Sequence, residues 1–139
     1  MTKARKKFQP LTSKNICNIY ELLHEEKLIS FPLTQESTNK IESLVANINS
    51  SYFGQEIYGS HEEKVVAYLY FIIKSHAFTD GNKRVACFSF AIVCDLNDLY
   101  PKYRGFSLDE LAVFLEGSEE KDYQKLIKTV AQSLFFENI

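Results

Sequence analysis

Apolar positions return at helical intervals over most of this chain. Ile16, Ile19, Tyr20 and Leu23 recur every three or four residues, which predicts a first helix over about residues 13–28. Ser13 is placed to accept a hydrogen bond from the exposed amides of its first turn. Phe31-Pro32-Leu33 breaks the pattern, because the residue before a proline is pushed out of helical geometry. A second helix is expected over about residues 35–49, with Ile41, Leu44, Val45 and Ile48 on one face. Residues 50–59 mix two glycines with aromatic and polar side chains, the composition of a loop or short hairpin. Ser60-His61-Glu62-Glu63 has the Ser-x-x-Glu pattern of a capping box and opens a third helix to about residue 75. Apolar residues nearly encircle that helix, so it is expected at the centre of the core. Residues 83–96 are rich in β-branched and aromatic residues and are compatible with a strand. The run is long for a buried strand and is read as a fourth helix. A loop with Pro101 and Gly105 follows, and Ser107-Leu108-Asp109-Glu110 opens a fifth helix to about Glu116. A sixth is expected over about residues 119–136. The pattern predicts one all-α domain of about six helices.

Composition agrees with that picture. A length of 139 residues, 45 % hydrophobic and 24 % charged, suits a single globular domain with one core. Five glycines and three prolines are few for a turn-rich sandwich. Charge adds one feature. Lys3, Arg5, Lys6 and Lys7 give the first ten residues +4 while the whole chain carries −2, which leaves −6 on the rest. A basic arm over residues 1–10 and a helical domain over 11–139 are therefore expected. One short arm covers few phosphates, so a solvated tail is expected rather than a nucleic-acid site. Cys17, Cys87 and Cys94 form no Cys-x-x-Cys pair and sit among apolar residues, as buried reduced thiols do. No apolar leader follows the first basic residues, and the apolar run from Val65 to Ile73 is too short to cross a bilayer. A cytoplasmic protein with no membrane partner is the expectation.

Candidate chemistry concentrates in one loop. Residues 76–84 read HAFTDGNKR and lie between two apolar segments. Asp-Gly-Asn alone would make a turn. A histidine can take a proton from a hydroxyl near neutral pH, which suits His76 to a general base. Asp80 offers a hard oxygen ligand for Mg²⁺ shared with phosphates. Gly81 lets the backbone approach a ligand, and Asn82 can donate to an oxygen. Lys83 and Arg84 can neutralise phosphate charge, the guanidinium by a bidentate fork. All of this precedes a helix whose first amides favour anions. Ala77 and Phe78 are apolar and can peg the loop to the core.

HAFTDGNKR resembles the signature of the Fic/Doc (Fido) family. His76, Phe78, Asp80, Gly81, Asn82, Lys83 and Arg84 fit the Doc-type pattern H-x-F-x-[D/N]-[A/G]-N-K-R at every fixed position. They fit the Fic-type pattern H-x-F-x-[D/E]-G-N-G-R except at Lys83. The resemblance spans the loop and its flanking helices, and more loosely residues from about Phe53 to Leu96. It implies an all-α Fido-like domain with the motif loop between two central helices. It implies transfer of AMP or a γ-phosphate from ATP or another nucleoside triphosphate, with Mg²⁺, to a Ser, Thr or Tyr hydroxyl of a target protein. His76 would be the general base and Asp80 the metal ligand. Gly81, Asn82 and Lys83 would form the anion hole, Arg84 would bind a β- or γ-phosphate, and Phe78 would anchor the loop. An antitoxin or inhibitory partner is a further implication, and residues 51–59 stand where family members carry a flap that aligns the target.

The chain departs from the adenylylating pattern in two informative places. Lys83 stands where that pattern has its second glycine, and Cys87 where many Fic proteins have a second arginine. Both departures lean toward Doc-like phosphoryl transfer, while the number of adenylylating relatives pulls the other way. Ser133 to Asn138 also matches the family's inhibitory pattern [S/T]-x-x-x-E-[G/N], with Glu137 as its acid, although the arginine that this acid normally meets is missing. The alternative is a non-catalytic nucleotide- or partner-binding module, or a nucleic-acid binder acting through the basic arm.

Overall fold

The computed structural model describes residues 7–52, 55–56 and 58–136. Arm residues 1–6, Glu137, and Phe53, Gly54 and Ile57 of the expected flap lie outside the described residues. The described residues form six α-helices: α1 (Ser13–Glu25), α2 (Gln35–Ile48), α3 (His61–Ser75), α4 (Asn82–Leu96), α5 (Leu108–Gly117) and α6 (Tyr123–Ala131). A π-helical turn, Gln132–Phe136, continues α6. Between α2 and α3, β1 (Ser51–Tyr52) pairs antiparallel with β2 (Gln55–Glu56), so the expected loop or hairpin is a two-stranded ribbon.

α3 is the central element and packs against α2, α4, α5 and α6, while α1 packs on α2 and α4. Residues 64–70 of α3 are buried on every side, as its all-round apolar pattern predicts. α4 buries Val85, Ala86, Ser89, Phe90, Val93 and Cys94 and is a helix, not a strand. The motif loop therefore joins the two helices at the heart of the fold.

Caps refine the boundaries. Thr12, not Ser13, is the N-cap of α1 and makes a reciprocal capping box with Asn15. That helix stops at Glu25 rather than near residue 28, where Lys27 turns through φ 61. Ser107 and Glu110 form the expected capping box of α5. At α3, Ser60 accepts from the Glu63 amide, but the Glu63 carboxylate takes the Ser60 hydroxyl proton, so only half of a capping box forms. α6 begins at Tyr123, not near residue 119, because Asp122 accepts from the Lys125 amide and sets the start. The packed body also begins before residue 11. Phe8 is buried against Tyr68 and His61, and the Tyr68 hydroxyl donates to the Leu11 carbonyl and accepts from its amide. All three cysteines are free thiols, with Cys17 and Cys94 buried and Cys87 half-buried. Among the described residues no helix is long and apolar enough to cross a membrane.

Candidate active site

The motif loop alternates between side chains that plug the core and side chains left at the surface. His76 is the C-cap of α3 in the left-handed conformation (φ 49, ψ 40), which costs a residue with a Cβ about 1–2 kcal/mol. This turn leaves its imidazole exposed while the next two residues go inward. The buried Ser37 hydroxyl of α2 donates to the Ala77 carbonyl at 2.6 Å. The Phe78 ring stacks on Tyr20 of α1 with centroids 4.4 Å apart, and the Tyr20 hydroxyl donates to the Phe31 carbonyl at 2.6 Å. Burial first, then the nearby charge of Asp80, pushes the Tyr20 phenol above its ordinary range. The loop is thus anchored by the Phe78 stack on α1 and by a hydrogen bond from α2.

Asn82 closes the loop. Its Oδ1 accepts from the Phe78 amide at 3.1 Å and its Nδ2 donates to the Phe78 carbonyl at 2.8 Å. The side chain expected to meet a phosphate is largely engaged in holding the loop, which leaves one amide proton and the backbone N–H of Asn82 as donors. Gly81 is the N-cap of α4 with φ +83. A Cβ there would stand 2.5 Å from Ile29 Cδ1 and 2.8 Å from its Cγ1, so the backbone lies directly on that buried side chain. No side chain caps α4. The amides of its first turn have no partner within the helix and carry the positive end of the helix dipole.

The two basic residues are both engaged. Lys83 Nζ bonds Glu116 Oε1 and Oε2 of α5 at 2.9 and 3.0 Å, and Arg84 Nη1 donates to the Leu28 carbonyl at 2.9 Å. Lys74, near the end of α3, donates to the carbonyls of Glu116 and Ser118 and fixes the end of α5 beside the loop. A cleft of about 810 Å³ gathers His76, Asp80, Gly81, Asn82, Lys83 and Arg84, so every candidate residue stands on one surface. Lys83 and Arg84 share its walls with three carboxylates, Asp80, Asp109 and Glu116. Among the described residues no group of three or more His, Cys, Asp and Glu side chains converges on a metal. Mg²⁺ is commonly held by one or two carboxylates together with substrate phosphates, a role that the Asp80 carboxylate in the cleft would fit.

Residues of α5 were missed from sequence. Asp109, Val113 and Glu116 lie one and two turns apart on the face of α5 that lines the cleft, with Val113 exposed. An apolar side chain between two acids on a short helix was the available signal. Burial, and then the charge of Asp109 and its acceptance of the thiol proton, raise Cys87 to about 11. Cys87 is therefore a neutral thiol close to Asp109 on the cleft wall.

A family model described as the Fic/DOC family matches residues 10–94. This chain belongs to the Fic/DOC family. The match runs from the segment before α1 to the last turns of α4 and contains the whole motif loop, which is more of the chain than the motif alone suggests. α5 and α6 follow the matched region, so Asp109 and Glu116 lie outside it while the motif loop lies within it. No curated protein and no solved structure matches the chain.

Proposed function

We propose that this Fic/DOC protein transfers a phosphate-containing group from a nucleoside triphosphate to a Ser, Thr or Tyr hydroxyl of a target protein. The observation that carries this reading is the uncapped head of α4 facing the same cleft as His76 and Asp80. The amides of residues 82–84 and the Arg84 guanidinium would hold the phosphates. His76 would take the proton of the attacking hydroxyl as its oxygen bonds to phosphorus in line with the leaving group. Bound to Asp80, Mg²⁺ would neutralise phosphate charge and stabilise the charge that develops on the leaving oxygen. With three carboxylates against two cations on the cleft walls, the side chains alone do not balance a triphosphate. That shortfall is physical support for metal dependence.

Phosphoryl transfer fits the cleft better than AMP transfer. The place of the second arginine holds the Cys87 thiol beside Asp109, so a phosphate there would meet a carboxylate, with the nearby Lys83 ammonium already paired to Glu116. With the terminal phosphate at His76 instead, the bond between the γ-phosphorus and its bridging oxygen breaks, a nucleoside diphosphate leaves and the target keeps the phosphate. A purely nucleotide-binding module would use the same amide cradle. It gives no reason for a histidine to occupy a strained left-handed C-cap at the cleft, where glycine is cheaper.

Candidate targets incubated with Mg²⁺ and nucleotide labelled at either the α- or the γ-phosphate test the proposal, with the intact mass of the product as the second readout. Label from the γ position and a phosphate-sized mass gain are expected, and both are lost in His76→Ala. Label from the α position would replace phosphoryl by nucleotidyl transfer. Bound nucleotide with no transfer from either position would sink the enzyme reading.

A further inference from the structure

The cleft continues beyond the phosphate cradle. Glu116, near the end of α5, meets Lys83 in the first turn of α4, and Asp109, in the first turn of α5, meets Cys87 one turn further along α4. The two helices thus pass each other and form a groove that extends roughly 10 Å from the loop, seven residues of helical rise. Beyond the motif loop its walls include Cys87, Phe88, Asp109, Ala112 and Val113. Phe88 is 49 % exposed and Val113 59 % exposed, so each presents apolar surface. Phe88 stands one turn after Arg84 on the same face of α4. Flat apolar surface beside the phosphate end of a cleft suits a nucleobase, which every base can exploit by stacking.

Asp109 adds the selection. A carboxylate only accepts hydrogen bonds, and Asp109 stands on the cleft wall beside Cys87 with lone pairs to offer a ligand. Two adjacent N–H donors on one edge match a carboxylate. Guanine has them at N1 and N2. Adenine sets an N6 donor beside an N1 acceptor, which a carboxylate repels, and cytosine does the same with N4 and N3. Uracil has one N–H flanked by two carbonyls.

We propose that Phe88, Val113 and Asp109 form the base subsite and select guanine, so that the donor nucleotide is a guanosine triphosphate. This rests on the reading above that the head of α4 holds the phosphates.

Calorimetric titration of the full chain with Mg²⁺ and GTP, ATP or inorganic tripolyphosphate tests it. GTP should bind at least tenfold more tightly than ATP. Asp109→Asn, whose amide offers a donor beside an acceptor and so matches adenine, should cut that preference to threefold or less. Phe88→Ala should weaken both nucleotides by a similar factor. Equal or tighter binding of ATP by the unmodified chain overturns the proposal, as does an unchanged preference in a folded Asp109→Asn variant or unchanged affinities in Phe88→Ala. Tripolyphosphate separates the layers. If it binds and the bases are not discriminated, only the base subsite falls. If neither it nor any nucleotide binds, the phosphate cradle falls and the base subsite with it.

Discussion

Gly81→Ala is the sharpest structural perturbation of the candidate site. Two costs add. At φ +83 an alanine sits in the left-handed region, at about 1–2 kcal/mol. Its Cβ would also come within 2.5 Å of Ile29 Cδ1, and Ile29 is buried, so it has little room to yield. Overpacking of this kind costs about 1–3 kcal/mol. The sum is about 2–5 kcal/mol, a large share of the roughly 5–15 kcal/mol that holds a domain folded. With a slope of about 1.5 kcal/mol per molar urea, the unfolding midpoint should fall by about 1–3 M. A double-mutant cycle isolates the steric part. Ile29→Val alone should cost about 0.5–1.5 kcal/mol. In the Gly81→Ala background it should cost less, because valine lacks the Cδ1 that the new methyl strikes hardest, although it keeps the Cγ1 at 2.8 Å. A midpoint shift below about 0.3 M, or an Ile29→Val effect of the same size in both backgrounds, would refute the close approach of backbone to Ile29.

Four further outcomes follow from the same geometry. His76→Gly should stabilise the fold by about 1 kcal/mol by removing a left-handed residue with a Cβ, while abolishing group transfer; a stability loss in thermal melts would contradict the strained C-cap. Glu116→Gln should release the Lys83 ammonium and tighten triphosphate binding several-fold, with a stability change within about 1 kcal/mol because the pair is about 40 % exposed; weaker binding by calorimetry would show that Glu116 supports the site instead. Ser89→Ala should be neutral or stabilising by up to about 1 kcal/mol, since the buried Ser89 hydroxyl has no hydrogen-bond partner among the described residues; a loss above about 1 kcal/mol in urea unfolding would reveal one. Burial raises Cys94 and Tyr58 each to about 12 from ordinary values of 9 and 10, so the unfolded chain loses these protons first and stability should fall as pH rises from about 9 to 12. Urea midpoints should decline across that window and decline less steeply in Cys94→Ala; a flat profile would contradict the burial of both groups.

What could be read from sequence divides by the range of the interaction. The apolar spacing of α3 and α4 is repeated turn after turn, so the central pair and the motif loop between them were legible. Caps were less so, because Thr12 and Ser13 have the same chemistry and only backbone geometry shows that Thr12 turns into the helix. The start of α6 was misplaced for a similar reason. Glu119, Glu120 and Lys121 are helix-compatible side chains, and the competing signal was a lone Asp122. In the site, the residue types of the loop announced its chemistry, but not their partners. The Asn82 amide brackets Phe78 only four residues back, a local closure that residue type does not specify, and nothing near Lys83 points to the distant Glu116.

That last pair changes the charge argument for the motif. Counted along the chain, residues 83–84 look like two free cations beside one acid. In the fold, Lys83 is matched by Glu116, and Arg84 is drawn to the Leu28 carbonyl. What remains unmatched at the head of α4 is its amides, which are neutral donors with a dipole behind them. A site of this kind attracts a phosphate by direction more than by net charge. A bare triphosphate would have to displace Glu116 from Lys83, whereas one accompanied by a divalent cation at Asp80 would arrive with part of its charge cancelled. The preference for a metal-bound nucleotide would then be built into the Glu116 contact. It should weaken in Glu116→Gln, where metal-free triphosphate would gain more affinity than the metal-bound form. Equal gains for both forms would show that Glu116 acts on phosphate charge without regard to the metal.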